Sequence, residues 1–186
     1  RRTGPRSPWL EPLLDRLVDA GAFAKARTIW ASVSRLPAGG HGLIYDPQFE
    51  REDAPPPFNW ALTSSTVGLA ERQRGGGLHV IAYGHESGVL AEQLLLLPAG
   101  EYRLETRLAA AAERAAALEW TISCEGSRTP IASIALDAAA GHGWQFAIPS
   151  GCAAQRLALV GRAGDFPRQA ELTIQRVTLS RGGGRG

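Results

Sequence analysis

Two hydrophobic periods divide the chain. From Trp9 to Val18, apolar residues fall at Leu10, Leu13, Leu14, Leu17 and Val18, the i, i+3, i+4, i+7, i+8 stripe of an amphipathic helix. Pro12 fits such a helix only in its first turn, and Ser7 or a neighbour stands where a cap is wanted. Gly21 ends the stripe. Residues 22–35 predict a second helix, with Phe23, Ala26, Ile29, Trp30 and Val33 on one side. Two helices joined by a short glycine turn make a helical hairpin, here spanning residues 1–36 with its lead-in.

Residues 37–42 read as a linker, and beyond them the apolar period shortens to two. Strands are predicted at 43–45, 59–63, 78–83, 91–97, 101–109, 117–124, 131–136, 144–148, 156–160 and 170–179, most of them separated by Gly, Pro or Ser turns. Such spacing predicts a mainly β domain over 43–180, an antiparallel two-sheet sandwich or barrel. Tyr102, Leu104, Thr106 and Leu108 face one way, and Arg103, Glu105 and Arg107 the other. Leu118, Trp120, Ile122 and Cys124 share a face, as do Trp144, Phe146 and Ile148, so Trp60, Trp120 and Trp144 belong to the core. In the last strand Val177 and Leu179 are one residue out of phase with Leu172 and Ile174, which predicts a bulge near Gln175 and Arg176. The alanine run 109–117, between two strands, predicts a loop with a helical turn. Residues 181–186 form a tail.

Charge changes the picture of partners. The formal net charge is +2, but Arg1, Arg2, Arg6, Arg181 and Arg185 sit in the tails. Residues 7–180 carry 15 bases against all 18 acids, a net of −3. A nucleic-acid binder concentrates positive charge on its folded body, so no nucleic-acid partner is expected. Lys25 is the single lysine and lies in no phosphate-loop motif, which excludes that nucleotide chemistry. No apolar run reaches a membrane span. The sequence contains no methionine, so an upstream segment is expected.

Certain motifs resemble a known family. Phe49-Glu50, then Pro57-Phe58-Asn59-Trp60, then Gln93-Leu94-Leu95-Leu96-Leu97-Pro98-Ala99-Gly100-Glu101-Tyr102-Arg103-Leu104 are similar to the galactose-binding-like jelly rolls, nearest to carbohydrate-binding modules of families four and nine. The resemblance covers roughly residues 42–180 and implies an antiparallel jelly-roll β-sandwich behind the N-terminal α-helical hairpin. In such modules the glutamate of the "FE" pair helps bind a structural calcium with an acid in the last strand. Here Glu50 is present but Gln175 and Arg176 stand where the acid is expected, so no metal is assigned. The hairpin, with "GAFAKARTIW" in its second helix, resembles one tetratricopeptide-type unit. A lone unit cannot bury its face. It either packs on the following domain or closes an upstream array, and the second is the expectation.

Candidate chemistry is sparse. His41, His79, His85 and His142 have no zinc spacing, and Gly84-His85-Glu86-Ser87-Gly88 is a turn rather than a nucleophile elbow. Glu50, Glu52 and Asp53 read as solvated charges in a proline-rich loop. No catalytic constellation, cofactor motif or enzyme activity is expected. Cys124 and Cys152 form either a disulfide or two buried thiols. The bridge is the expectation, and it implies a periplasmic or secreted protein; free thiols would imply the cytoplasm. Tyr83 and His79 share an outward face of their strand, and an exposed aromatic beside polar groups suits a sugar ring. Arg103, Glu105 and Arg107 form a polar row on the same or the opposite surface, and the expected binding residues are Tyr83, His79, Arg103, Glu105 and Arg107. Non-catalytic recognition of a glycan or envelope polysaccharide is the functional expectation. The alternative is a protein–protein or assembly module on the same fold, with a protein partner held through the hairpin.

Overall fold

The computed structural model describes residues 8–34, 42–109, 117–165 and 169–182. Ser7, His41, most of the 37–42 linker, Arg1, Arg2, Arg6, Arg185 and most of the 109–117 run lie outside the described residues. Helices α1 (Leu10–Asp19) and α2 (Phe23–Val33) form the predicted hairpin, with Pro12 in the first turn of α1. Gly21 makes the turn at φ 70°, a conformation that costs a residue without Cβ little. None of the described helices is long and apolar enough to cross a membrane.

The rest is an antiparallel sandwich of two five-stranded sheets. The strands are β1 (Ala61–Leu62), β2 (Gly68–Arg72), β3 (Leu78–Ala82), β4 (Gly88–Leu95), β5 (Gly100–Leu108), β6 (Leu118–Cys124), β7 (Pro130–Ala135), β8 (Trp144–Ile148), β9 (Gln155–Gly161) and β10 (Ala170–Arg181). One sheet runs β1-β4-β9-β6-β7 and the other β2-β3-β10-β5-β8. Most connections cross between the sheets, as a jelly roll requires. Side chains alternate as read from the sequence: Trp60, Trp120, Trp144, Leu104, Ile122 and Phe146 fill the core between the sheets. Trp120 is fully buried and its indole N–H donates to Thr106 Oγ1 at 3.0 Å, which satisfies both buried polar groups. The β10 register shifts between Ile174 and Arg176, where the bulge was predicted.

Three expectations are corrected. Residues 43–45 are not a strand: the Gln93 carboxamide accepts from Tyr45 N–H and donates to its carbonyl, both at 2.9 Å, so a side chain replaces the ladder partner. Strand β2 was missed because its inward positions are Gly68 and Ala70, too small to give an apolar alternation. There the sheet is tight: a Cβ on Gly68 would fall 2.0 Å from the Ile81 carbonyl oxygen. A short helix, α3 (Leu136–His142), follows β7 where a turn was expected. It buries Leu136 and Ala139 in the sandwich core, and its alanines favour the helix.

The hairpin packs on the sandwich, the first of the two arrangements open to a lone helical unit. Leu10, Leu14, Val18, Ala26 and Trp30 form a second core with Tyr45, Ala54, Phe58, Leu94 and Ala154. The hydrophobic stripe therefore finds its partner within this chain, on the 45–58 segment and the outer side of β4.

Candidate functional site

The solvent face of the second sheet holds a polar cleft of about 360 Å³, between β5, β10 and the end of α3. Its groups come from three local rules. The period of two turns Arg103, Glu105 and Arg107 outward along β5 while Tyr102, Leu104 and Thr106 are buried. The bulge in β10 leaves Gln175 and Arg176 both exposed before Val177 returns to the core, so Arg176 joins the same face. Gly143, at φ 70°, closes α3, and a Cβ there would lie 2.8 Å from a guanidinium nitrogen of Arg103.

Within the cleft Arg103 is anchored. Its Nε donates to Glu105 Oε1 at 3.0 Å, and its Nη2 donates to the His142 carbonyl at 2.8 Å. The Gln48 carboxamide lies against the Arg176 guanidinium and, with its oxygen turned toward that group, accepts from both Nε and Nη2. Thr178 and the exposed His142 complete the lining. Arg107 faces solvent, and its side chain has no hydrogen bond or ion pair among the described residues.

The five expected binding residues all lie on this sheet's outer side or its rim, but they do not form one site. His79, on β3, sits across from Thr173 of β10, with its ring nitrogens on Glu171 Oε1 at 2.9 Å and Glu71 Oε1 at 3.4 Å. Tyr83 follows β3 at the opposite end from His79, roughly 13 Å further along at about 3.3 Å per residue. It is 37% exposed, and it borders the loop where Thr66 donates to Glu86. His85 lies in that same loop, so the two histidines bracket the strand rather than meet. Arg103, Glu105 and Arg107 do meet, in the cleft. Arg176, Thr178 and Gly143 are the members that the site expectation missed. The phase slip in β10 carried the signal for the first two, since setting Val177 and Leu179 inward turns their neighbours outward.

His79 carries a pH signature. The hydrogen bond that its ring N–H donates to Glu171 holds His79 above the ordinary imidazole value, partial burial opposes this, and Glu71 adds to it. A raised folded value stabilises below the ordinary value near 6.5 and the gain disappears as pH climbs through the raised one. Urea midpoints of the native chain should therefore fall from about pH 6 to about pH 8. His79→Gln should abolish that decrement; equal pH slopes in both proteins would refute the pairing.

The residues that carry the family resemblance build structure. Asp46 is buried at φ 51°, and its carboxylate accepts from Glu50 N–H at 2.8 Å and Arg51 N–H at 3.1 Å. Burial pushes its carboxyl up, while those two N–H groups and Arg72, 3.5 Å away, pull it down. Trp60 donates its indole N–H to the Asp46 carbonyl, and Asn59 ties the Arg51 and Ala54 carbonyls to the Arg72 guanidinium. Phe49 stacks obliquely on Trp60 at 5.1 Å. Asp53 is held by Arg51 at 2.8 Å and by the Tyr45 hydroxyl, whose ionisation burial and Asp53 push up to about 12. Glu50 lies exposed against Gly76, and among the described residues no three His, Cys, Asp or Glu side chains converge as metal ligands. Cys124 and Cys152 are joined in a disulfide that pins the end of β6 to the β8–β9 loop.

No protein-family model matches the chain, and no curated protein matches its sequence. Among solved structures it is similar to the crystal structure of accessory secretory protein 1, 2 and 3 from Streptococcus pneumoniae, at TM-score 0.44 and 12% identity, over 62% of this chain and 85% of that one. It is also similar to TmCBM61 in complex with β-1,4-galactotriose, at TM-score 0.44 and 16% identity, over 77% of this chain and 100% of that one.

Proposed function

We infer that the chain is a non-catalytic carbohydrate-binding module whose binding face is the outer side of the β2-β3-β10-β5-β8 sheet. One observation carries the reading: solvent-facing hydrogen-bonding groups converge there in a cleft of about 360 Å³, with Arg107 left unpaired among the described residues. A sugar presents hydroxyls at fixed angles, and guanidinium forks, a carboxylate and a threonine hydroxyl on rigid strands match such a surface. Among the described residues Glu105 is the one carboxylate in the cleft, and it is engaged by Arg103, which favours binding over acid–base cleavage of a glycosidic bond. The Cys124–Cys152 bond supports an oxidising compartment, periplasmic or secreted.

A glycan-array screen of the full chain tests this. Binding should be present in the native protein and fall about 10- to 100-fold in the Arg103→Ala, Arg107→Ala double variant, as for lost hydrogen bonds to charged groups. A folded native protein that binds no glycan would sink the reading. One observation favours a second: Trp9, 54% exposed, and Val33 lie at the same open end of the antiparallel hairpin. That end would then be a contact for a protein partner.

A further inference from the structure

The polar cleft carries a feature that the fold does not need. Arg107 and Arg176 are direct partners in the β5–β10 register, and both are exposed. Directly opposed like charges destabilise a sheet, because their Cβ atoms stand only about 5 Å apart. Among the described residues no carboxylate is hydrogen-bonded to or ion-paired with either guanidinium. Glu105 is taken by Arg103, and Arg176 contacts the neutral amide of Gln48. Among the described residues the cleft lining thus holds the guanidiniums of Arg103, Arg107 and Arg176 against the single carboxylate of Glu105. This concentration occurs in a folded body with more acids than bases. The bulge is what brings it about, since without the shift at Ile174/Arg176 the strand's alternation would turn Arg176 to the core.

We propose that this cleft takes a negatively charged saccharide, its carboxylate or sulfate ester gripped between Arg107 and Arg176. The inference rests on the glycan-binding reading and names the ligand class within it. Guanidinium forks engage such oxyanions bidentately, and the anion removes the repulsion that the empty pair carries. Arg103, tied to Glu105 and the end of α3, forms the wall of the cleft. Thr178 lies between these groups, where it offers a hydroxyl to the sugar ring.

Titration calorimetry on the full chain separates the outcomes. The probes are oligogalacturonate against its full methyl ester, and a sulfated galactan oligosaccharide against its unsulfated form. The native protein should bind at least one acidic member about tenfold or more tightly than its neutral counterpart, with the preference shrinking as salt rises. The two pairs distinguish carboxylate from sulfate. In Arg107→Gln, which leaves the Arg176–Gln48 contact in place, and in the Arg107→Gln, Arg176→Gln double variant, the acidic-to-neutral ratio should collapse toward one. The thermal midpoint of the unliganded variants should stay unchanged or rise, since a repulsive pair has gone. Equal binding of acidic and neutral forms, or a ratio that survives the double variant, would overturn this inference and leave the glycan reading standing. Binding of no saccharide of either kind would overturn this inference, and it would overturn the glycan reading too if the glycan array is also blank.

Discussion

Trp30→Ala is expected to cost about 3–5 kcal/mol, the range for deleting a fully buried large aromatic. Trp30 is completely buried at the centre of the hairpin–sandwich contact. Its indole N–H donates to the Pro55 carbonyl at 2.7 Å, its ring meets Tyr45 edge-on at 5.0 Å and Phe58 at 5.6 Å, and Arg27 lies over it at 4.6 Å. Truncation removes the ring, leaves a cavity between two elements and strands the Pro55 carbonyl without its donor. Chemical denaturation should show the loss, and limited proteolysis should cut within the two helices, Leu10–Asp19 and Phe23–Val33, faster in the variant. A change below about 1 kcal/mol would mean that the hairpin contributes nothing to the fold it rests on.

The second large effect belongs to the disulfide. Cys124 and Cys152 are 28 positions apart, and a loop of that length restricts the unfolded chain by about 3–4 kcal/mol. The Cys124→Ala, Cys152→Ala double variant should lose about that much, which corresponds to roughly 6–16 °C in Tm for a domain of this size. Gln155 makes the site sensitive as well, because its amide donates to the Cys152 carbonyl at 2.7 Å and binds both polar groups of Leu97. Reduction of the native protein should reproduce the variant's midpoint. An unchanged midpoint on verified reduction would show that the bond forms without stabilising the fold.

Much of the architecture was legible because burial writes a period into a sequence. The stripe through Leu10, Leu14 and Val18 and the alternation through Tyr102, Leu104 and Thr106 each needed only one rule of side-chain direction. The β10 bulge was legible for the same reason, since a slip of one residue between Ile174 and Val177 has no other way to keep both inside. Strand β2 was not, because Gly68 and Ala70 leave space for a close neighbour rather than fill it, and emptiness has no hydropathic signal. Residues 43–45 misled because their ladder is a distant side chain, Gln93, found only by folding.

The candidate site divides along the same line. By itself the sequence determined that Arg103, Glu105 and Arg107 face away from the core and that the body of the domain carries no excess of base, and it left Cys124 and Cys152 open between a bridge and two thiols. Only the tertiary structure decided that β10 lies between β3 and β5, which separates Tyr83 from the arginine row and sets Arg176 opposite Arg107. It alone brought the end of α3 over Arg103 and docked the hairpin on the outer side of β4. The physical reason is range: side-chain period is fixed by neighbours along the chain, whereas strand order and register are chosen by the total surface the whole chain can bury.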